Sequence, residues 1–321
     1  MSGSLYRVLH AALAAAPITY FCIMPKVRSY LSMVAFSHTV FAMPFALIGF
    51  ALGVVHTGGW TTVMESPFGR EGLGIRFLLM VACMVSARSA AMAFNRYLDR
   101  NYDALNPRTV LREIPQGVIA PRQALTFTVI SALLFIGSTF FINRICFYLS
   151  PVALAVVLGY SYTKRFTSLC HLILGLGLSL APLGAYLSVT GEFALLPLLF
   201  SVAVLCWVSG FDIIYAMQDM AFDRSQGLYS IPAGLGGRQA LRISRILHLL
   251  SAAAVIAAGS EAGWGILYWA GAALFAGMLV YQQRIVRPDD LSRVNRAFMT
   301  ANGIASVFFA GFVLADLFLL C

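Results

Sequence analysis

Apolar residues run in nine long blocks along this chain, at roughly 33–55, 75–96, 123–141, 145–161, 169–189, 194–214, 243–260, 264–283 and 298–319. Most are about 17–25 residues long, which is what an α-helix needs to cross ~30 Å of hydrocarbon. Turn-forming residues separate them, among them His56-Thr57-Gly58-Gly59, Asn106-Pro107, Thr190-Gly191 and Pro288-Asp289-Asp290. A transmembrane barrel would instead show short segments of alternating polarity. The pattern predicts an all-α polytopic membrane bundle of about nine transmembrane helices. It occupies residues 26–321, after an N-terminal extension at 1–25.

Composition supports that class. Of 321 residues, 60% are hydrophobic and 11% charged, too little charge to cover the surface of a soluble domain this large. The net charge of +9 is spread over short loops. No dense basic block appears, so nucleic acid is not expected as a partner. The charge instead sets orientation. With the loop after the second span placed inside, seventeen of the 22 Lys and Arg fall on inner segments and three on outer ones, as expected for cytoplasmic loops. Six scattered cysteines make no CxxC pair, and five histidines show no ligand spacing. Neither a disulfide framework nor zinc or haem is expected. Arg7 and Ala14-Ala15-Ala16-Pro17 faintly resemble a signal peptide. Cleavage there would export Lys26 and Arg28, so residues 1–25 read better as an interfacial helix or an overlong start.

Two acidic stretches stand out against this background. The chain has 13 acidic residues, and five are the aspartates of Asn95–Asp103 and Asp212–Asp223. Each stretch ends a span. Asn95, Asp99 and Asp103 are spaced i, i+4, i+8, one helical stripe. Asp212, Asp219 and Asp223 are spaced i, i+7, i+11 and again share a face. The stretches belong to a weak internal repeat. Ile114-Pro115-Gln116-Gly117 returns as Ile231-Pro232-Ala233-Gly234, and Arg122-Gln123-Ala124-Leu125 returns as Arg238-Gln239-Ala240-Leu241. An even number of spans separates the copies, so both acidic stripes fall on one side, at a pseudo-twofold site on the cytoplasmic end.

Carboxylates at the mouth of a membrane bundle are costly unless cations neutralise them. Mg²⁺ prefers oxygen ligands and commonly takes one or two carboxylates together with substrate phosphate. Two facing stripes therefore point to a Mg²⁺–diphosphate site, suited to stabilising the charge on a leaving diphosphate. Lys164, Arg165, Arg108 and Arg112 stand where cations would grip that group. Arg88 shares the face of Asn95 and Asp99 but lies ~10 Å deeper, so it faces a cavity or a partner. Its planar fork suits a carboxylate or a phosphate.

These residues resemble the UbiA family of intramembrane aromatic prenyltransferases. Asn95, Asp99 and Asp103 match the family's first acidic motif, and Asp219 and Asp223 its second. Phe36–Leu47, Asp212–Asp219 and Ser230-Ile231-Pro232 resemble the 4-hydroxybenzoate branch. The resemblance covers about residues 26–320 and implies a nine-helix bundle. It implies Mg²⁺ held by Asn95, Asp99, Asp103, Asp219 and Asp223, with the four aspartates catalytic. It implies that Lys164 and Arg165 bind polyprenyl diphosphate and that Arg88 binds an aromatic acid; Arg108 and Arg112 are expected beside the diphosphate, and Asp212 and Tyr215 beside the acceptor. Arg96 departs from the pattern, standing where many members carry Asp. Residues 88–99 look most like members acting on a dihydroxynaphthoate acceptor, so that acceptor stays open. Two further alternatives remain at this point: a related enzyme acting on haem or a chlorophyll-like acceptor, and a secondary transporter with repeated halves.

Overall fold

The computed structural model describes residues 29–34, 42–58 and 72–319, and among them every regular element is helical. The expectations for residues 1–25 and for Phe36–Phe41 lie outside the described residues. In chain order the helices are α1 (Met43–His56), α2 (Leu73–Leu105), α3 (Pro121–Ile142), α4 (Arg144–Thr163), α5 (Cys170–Thr190) and α6 (Leu195–Ala216). Then follow the short α7 (Met220–Ser225) and α8 (Ile231–Leu235), and the long α9 (Gly237–Ala262), α10 (Ile266–Ile285) and α11 (Asn302–Leu319). Each of the nine expected spans overlaps one of the longer helices. Among the described residues seven helical stretches are long and apolar enough to cross a membrane, whereas Met43–His56 is shorter. Ile266–Ile285 falls outside the seven, and its last turn carries Gln282 and Gln283.

The turn residues stop helices for separate reasons. Asn106 precedes Pro107 and is extended (φ −87°, ψ 119°), because proline disfavours the helical conformation in the residue before it. Gly191 ends α5 in the left-handed conformation at φ 71°, which glycine adopts without steric cost. Helix α2 runs for 33 residues, about 50 Å, well beyond the hydrocarbon thickness. Its last turns, from about Asn95 onward, therefore overhang the apolar layer.

The repeat is kept at the helix starts. Pro121 opens α3 and Gly237 opens α9, so the two Arg-Gln-Ala-Leu copies occupy the same positions of their helices. Ala124 and Ala240 are both fully buried. Between these points the halves diverge. In the first half α2 continues unbroken through Asp103. In the second, α6 stops at Ala216, Met217–Asp219 form a single 3₁₀ turn, and α7 follows at Met220.

The interior differs between halves as well. Helices α1, α6, α9, α10 and α11 enclose a dense core containing Phe45, Phe200, Trp207, Tyr268, Phe275 and Phe309. Ring centroids lie 5.4 Å apart for Phe45–Trp207 and 5.3 Å for Phe275–Phe309. On the other side, α2–α5 surround a largely carbon-lined cavity of ≈ 380 Å³, bordered by small residues such as Ala87, Ala91, Gly177 and Gly184. Helix α5 divides the two regions. It approaches α1 so closely that a Cβ on Gly49 would overlap the Pro182 carbonyl oxygen, the small-residue contact that lets membrane helices pack.

Candidate active site

The C-terminal ends of α2, α4 and α6 and the N-terminus of α5 meet at one end of the bundle, and the expected site residues gather there. On α2, Asn95 Nδ2 donates to Asp99 Oδ2 at 2.9 Å, so the two residues lie together on the stripe as their spacing requires. The loop after α2 then crosses to the other half of the repeat. Arg108 grips Asp219 through both oxygens, with Nε 3.0 Å from Oδ1 and a terminal nitrogen on Oδ2. Asn106 Nδ2 donates to the same Oδ1 at 3.0 Å. Arg108 also donates to the Tyr215 hydroxyl at 2.8 Å and lies over the Tyr215 ring.

Each of the other three aspartates has its own cation. Arg112 contacts Asp103 Oδ1 at 2.7 Å, Lys164 Nζ contacts Asp223 Oδ1 at 2.7 Å, and Arg165 contacts Asp99 Oδ1 at 3.3 Å. Four carboxylates thus face four cations in one cluster assembled from both halves. Burial works against the charge on Lys164, yet Asp223, with Asp219 and Asp99 behind it, lifts its pKa above the ordinary value. Arg108 behaves alike, burial being outweighed by its bonds to Asp219. Arg165 is the least tightly held. It spreads one nitrogen between Asp99 and the Leu98 carbonyl oxygen at 2.9 Å, and its Nε is buried with no hydrogen-bond partner in the protein.

Asp212 and Tyr215 separate in the structure. Tyr215 joins the Arg108–Asp219 group. Asp212 pairs with His171, Oδ2 to Nδ1 at 2.6 Å. Arg88 lines the α2–α5 cavity with Tyr160. Arg88, Met92, Asn95 and Asp99 follow one face of α2, and Tyr160 stands one turn before Lys164 on α4. The cavity therefore runs up to the charged cluster.

The donor set fits Mg²⁺. It consists of carboxylates and an amide, all oxygen donors for a hard cation. Asp103 is 6% exposed, and its Oδ2 is buried without a hydrogen-bond partner, an acceptor left over after Arg112. Among the described residues no three His, Cys, Asp or Glu converge as a closed metal cage.

Three residues have roles at the site that the sequence does not announce. Ser230 donates to Asp223 Oδ2 at 2.9 Å and caps α8 by accepting from the Ala233 amide at 3.2 Å. A serine ahead of Ile-Pro is a legible cap signal, but its bond to Asp223 is not. Asn106 reads only as a loop residue, and His171 carries no spacing signal at all.

Known proteins share this chain's sequence pattern and fold. The UbiA prenyltransferase family pattern matches residues 42–310. The chain is 32% identical over 237 residues to a 4-hydroxybenzoate octaprenyltransferase of Aeromonas salmonicida, covering 74% of this chain and 82% of the relative. It is 30% identical to one of Nitrosospira multiformis, covering 79% and 88%. The apo structure of a UbiA homolog from Aeropyrum pernix K1 superposes with a TM-score of 0.75 at 32% identity, over 87% of this chain and 98% of that one. A UbiA homolog from Archaeoglobus fulgidus bound to DMAPP and Mg²⁺ shares the fold, with a TM-score of 0.70 at 19% identity over 91% and 99%. With the family pattern spanning most of the chain and the paired acidic stripes meeting at one end of the bundle, the chain belongs to the UbiA prenyltransferase family.

Proposed function

We propose that the chain transfers a polyprenyl group from polyprenyl diphosphate to an aromatic hydroxy acid of the 4-hydroxybenzoate type, in quinone biosynthesis, at the cytoplasmic end of the bundle. The observation that carries this reading is the cluster of four aspartates and four cations, built from both halves, at the mouth of an apolar cavity. Asp99, Asp103, Asp219 and Asp223, with Asn95, would hold Mg²⁺. When bound, Mg²⁺ supplies positive charge that stabilises a departing diphosphate.

The protein's own cations do the complementary work. Lys164, Arg165, Arg108 and Arg112 would exchange their aspartates for diphosphate oxygens, leaving the carboxylates to hold Mg²⁺. The allylic C–O bond breaks, and its electron pair leaves with the diphosphate. A ring carbon of the acceptor forms the new C–C bond and loses its proton. Tyr160, on the cavity wall, offers a ring face to the allyl cation. The prenyl tail lies along the apolar cavity, whose walls exclude water. Arg88, deeper on the same face, receives the acceptor's carboxylate, and Asp212 faces its ring hydroxyl. The charge asymmetry of the loops supports the cytoplasmic placement. The relatives' names support the acceptor class.

An in-vitro assay tests this reading, offering one polyprenyl diphosphate with 4-hydroxybenzoate or a dihydroxynaphthoate, with Mg²⁺ or with EDTA. Mg²⁺-dependent transfer to 4-hydroxybenzoate is the expected result. Transfer only to the naphthoate would move the chain to the second acceptor, which the sequence of residues 88–99 favours. No transfer to either would sink the proposal.

A further inference from the structure

We infer that His171 is a positioning residue for the aromatic acceptor: it fixes Asp212, and its own ring is anchored from behind by the backbone at the start of α8. The inference rests on the proposed reading of Asp212 as an acceptor-side group. His171 is the second residue of α5 and is 3% exposed. Its Nδ1 lies 2.6 Å from Asp212 Oδ2, and its Nε2 lies 3.3 Å from the Ile231 backbone nitrogen. A backbone amide only donates, so Nε2 accepts. The ring proton then sits on Nδ1 and is given to Asp212.

The two partners differ in access. The Asp212 side chain is 22% exposed and that of His171 only 3%. The imidazole is sealed behind the carboxylate, so it acts through Asp212 and not on a ligand directly. Held by the Nδ1 hydrogen, Asp212 keeps Oδ1 for a donor. A phenolic hydroxyl is the donor that a hydroxybenzoate offers. His171, Leu174 and Leu178 share one face of α5, and the two leucines line the apolar cavity. Asp212 is therefore fixed next to the cavity face, at the charged end of the bundle.

The far side of the ring makes a second connection. Ile231 opens α8, whose cap Ser230 bonds Asp223 at 2.9 Å, and Asp223 in turn meets Lys164 at 2.7 Å. His171 thus joins α5, α6 and the start of α8 in one buried hydrogen-bonded path. The imidazole makes no hydrogen bond to Asp223 itself, because the backbone of α8 stands between them.

Steady-state kinetics on the purified full chain in nanodiscs test this, with 4-hydroxybenzoate as acceptor and Mg²⁺-dependent binding of inorganic diphosphate followed by calorimetry. His171→Ala should raise KM for 4-hydroxybenzoate about tenfold or more, the effect of losing one charged hydrogen bond. KM for the prenyl diphosphate and the affinity for inorganic diphosphate should stay within about twofold, below what one neutral hydrogen bond contributes. His171→Asn keeps an N–H near the Nδ1 position and should recover most of the acceptor affinity. His171→Gln places its amide nearer Nε2 and should not. In an Asp212→Asn background, His171→Ala should add little further loss. The Asn and Gln variants keep the test alive if the Ala variant does not fold. Equal behaviour of Asn and Gln, or parallel loss of both KM values and diphosphate binding, would assign His171 a purely structural role and overturn the inference. Absence of transfer by the wild-type chain would instead remove the functional reading beneath it.

Discussion

Lys164 Nζ lies 2.7 Å from Asp223 Oδ1, and the Asp223 side chain is fully buried while that of Lys164 is 34% exposed. The pair joins the end of α4 to α7, bringing the first half of the chain onto the second. Removing one member of such a pair leaves a buried charge uncompensated, which costs about 3–5 kcal/mol when both are buried. The partial exposure of Lys164 places the effect near the lower end. Lys164→Met should therefore destabilise the protein by about 3 kcal/mol and weaken diphosphate binding. Lys164→Met combined with Asp223→Asn should regain much of the stability, because the buried charge is gone, but not the binding. Thermal unfolding beside inorganic diphosphate calorimetry separates the two. If the double variant were as unstable as the single one, the pairing would not be the source of the loss.

The same logic extends to the whole cluster. Each aspartate already has a cation, so Mg²⁺ arriving alone adds positive charge to carboxylates that are already neutralised, and diphosphate arriving alone meets cations that are already paired. Arriving together they satisfy both sets at once. Mg²⁺ should bind weakly without diphosphate and at least about tenfold more tightly with it, and by reciprocity the converse should hold to the same factor. Asp99→Ala or Asp219→Ala should leave the fold intact and lower transfer by about 10²–10³-fold, as loss of a charge-stabilising group does. Equal Mg²⁺ affinity with and without diphosphate would count against the exchange.

Arg88 lines the cavity about two turns below Asn95. There it is suited to the carboxylate of an aromatic acid, a bidentate partner for its fork. Arg88→Ala should raise KM for 4-hydroxybenzoate about tenfold or more and should barely affect phenol, which lacks the carboxylate. The ratio of the two specificity constants measures this, and similar losses for both substrates would take the role away from Arg88.

Much of this was legible in the sequence, for identifiable reasons. Apolar block length and turn residues located the helices, since hydrocarbon thickness fixes one and backbone sterics the other. The Arg-Gln-Ala-Leu repeat gave the register of α3 and α9 because both copies begin a helix. The i, i+4, i+8 spacing placed Asn95, Asp99 and Asp103 on one stripe. Which cation meets which aspartate was not legible. Arg108 and Asp219 are 111 residues apart, and their meeting depends on how α2 and α6 pack. The 3₁₀ turn at Met217–Asp219 carries no glycine or proline to announce it. Nor does periodicity reveal that aromatic rings fill one half of the interior while small residues leave the other hollow.

Asp316 is an aspartate of a membrane helix that belongs to neither acidic stripe, and its contacts explain it. It is fully buried on α11 and accepts the backbone N–H of Gly265 at 2.8 Å and of Tyr268 at 3.1 Å. Gly265 is the N-cap of α10 and has no side chain with which to cap it. The carboxylate of a neighbouring helix takes that place, where the helix dipole also favours negative charge. This is the end of α10 remote from the Arg287–Asp290 loop. Asp316→Ala should cost about 1–2 kcal/mol for the lost cap, and more if the freed amides stay dry. Asp316→Asn keeps one acceptor oxygen and should cost less. Neither should change KM for either substrate among molecules that remain folded. Thermal unfolding combined with kinetics on the folded fraction checks both statements, and a changed KM in Asp316→Asn at unaltered stability would show that this buried carboxylate reaches the chemistry.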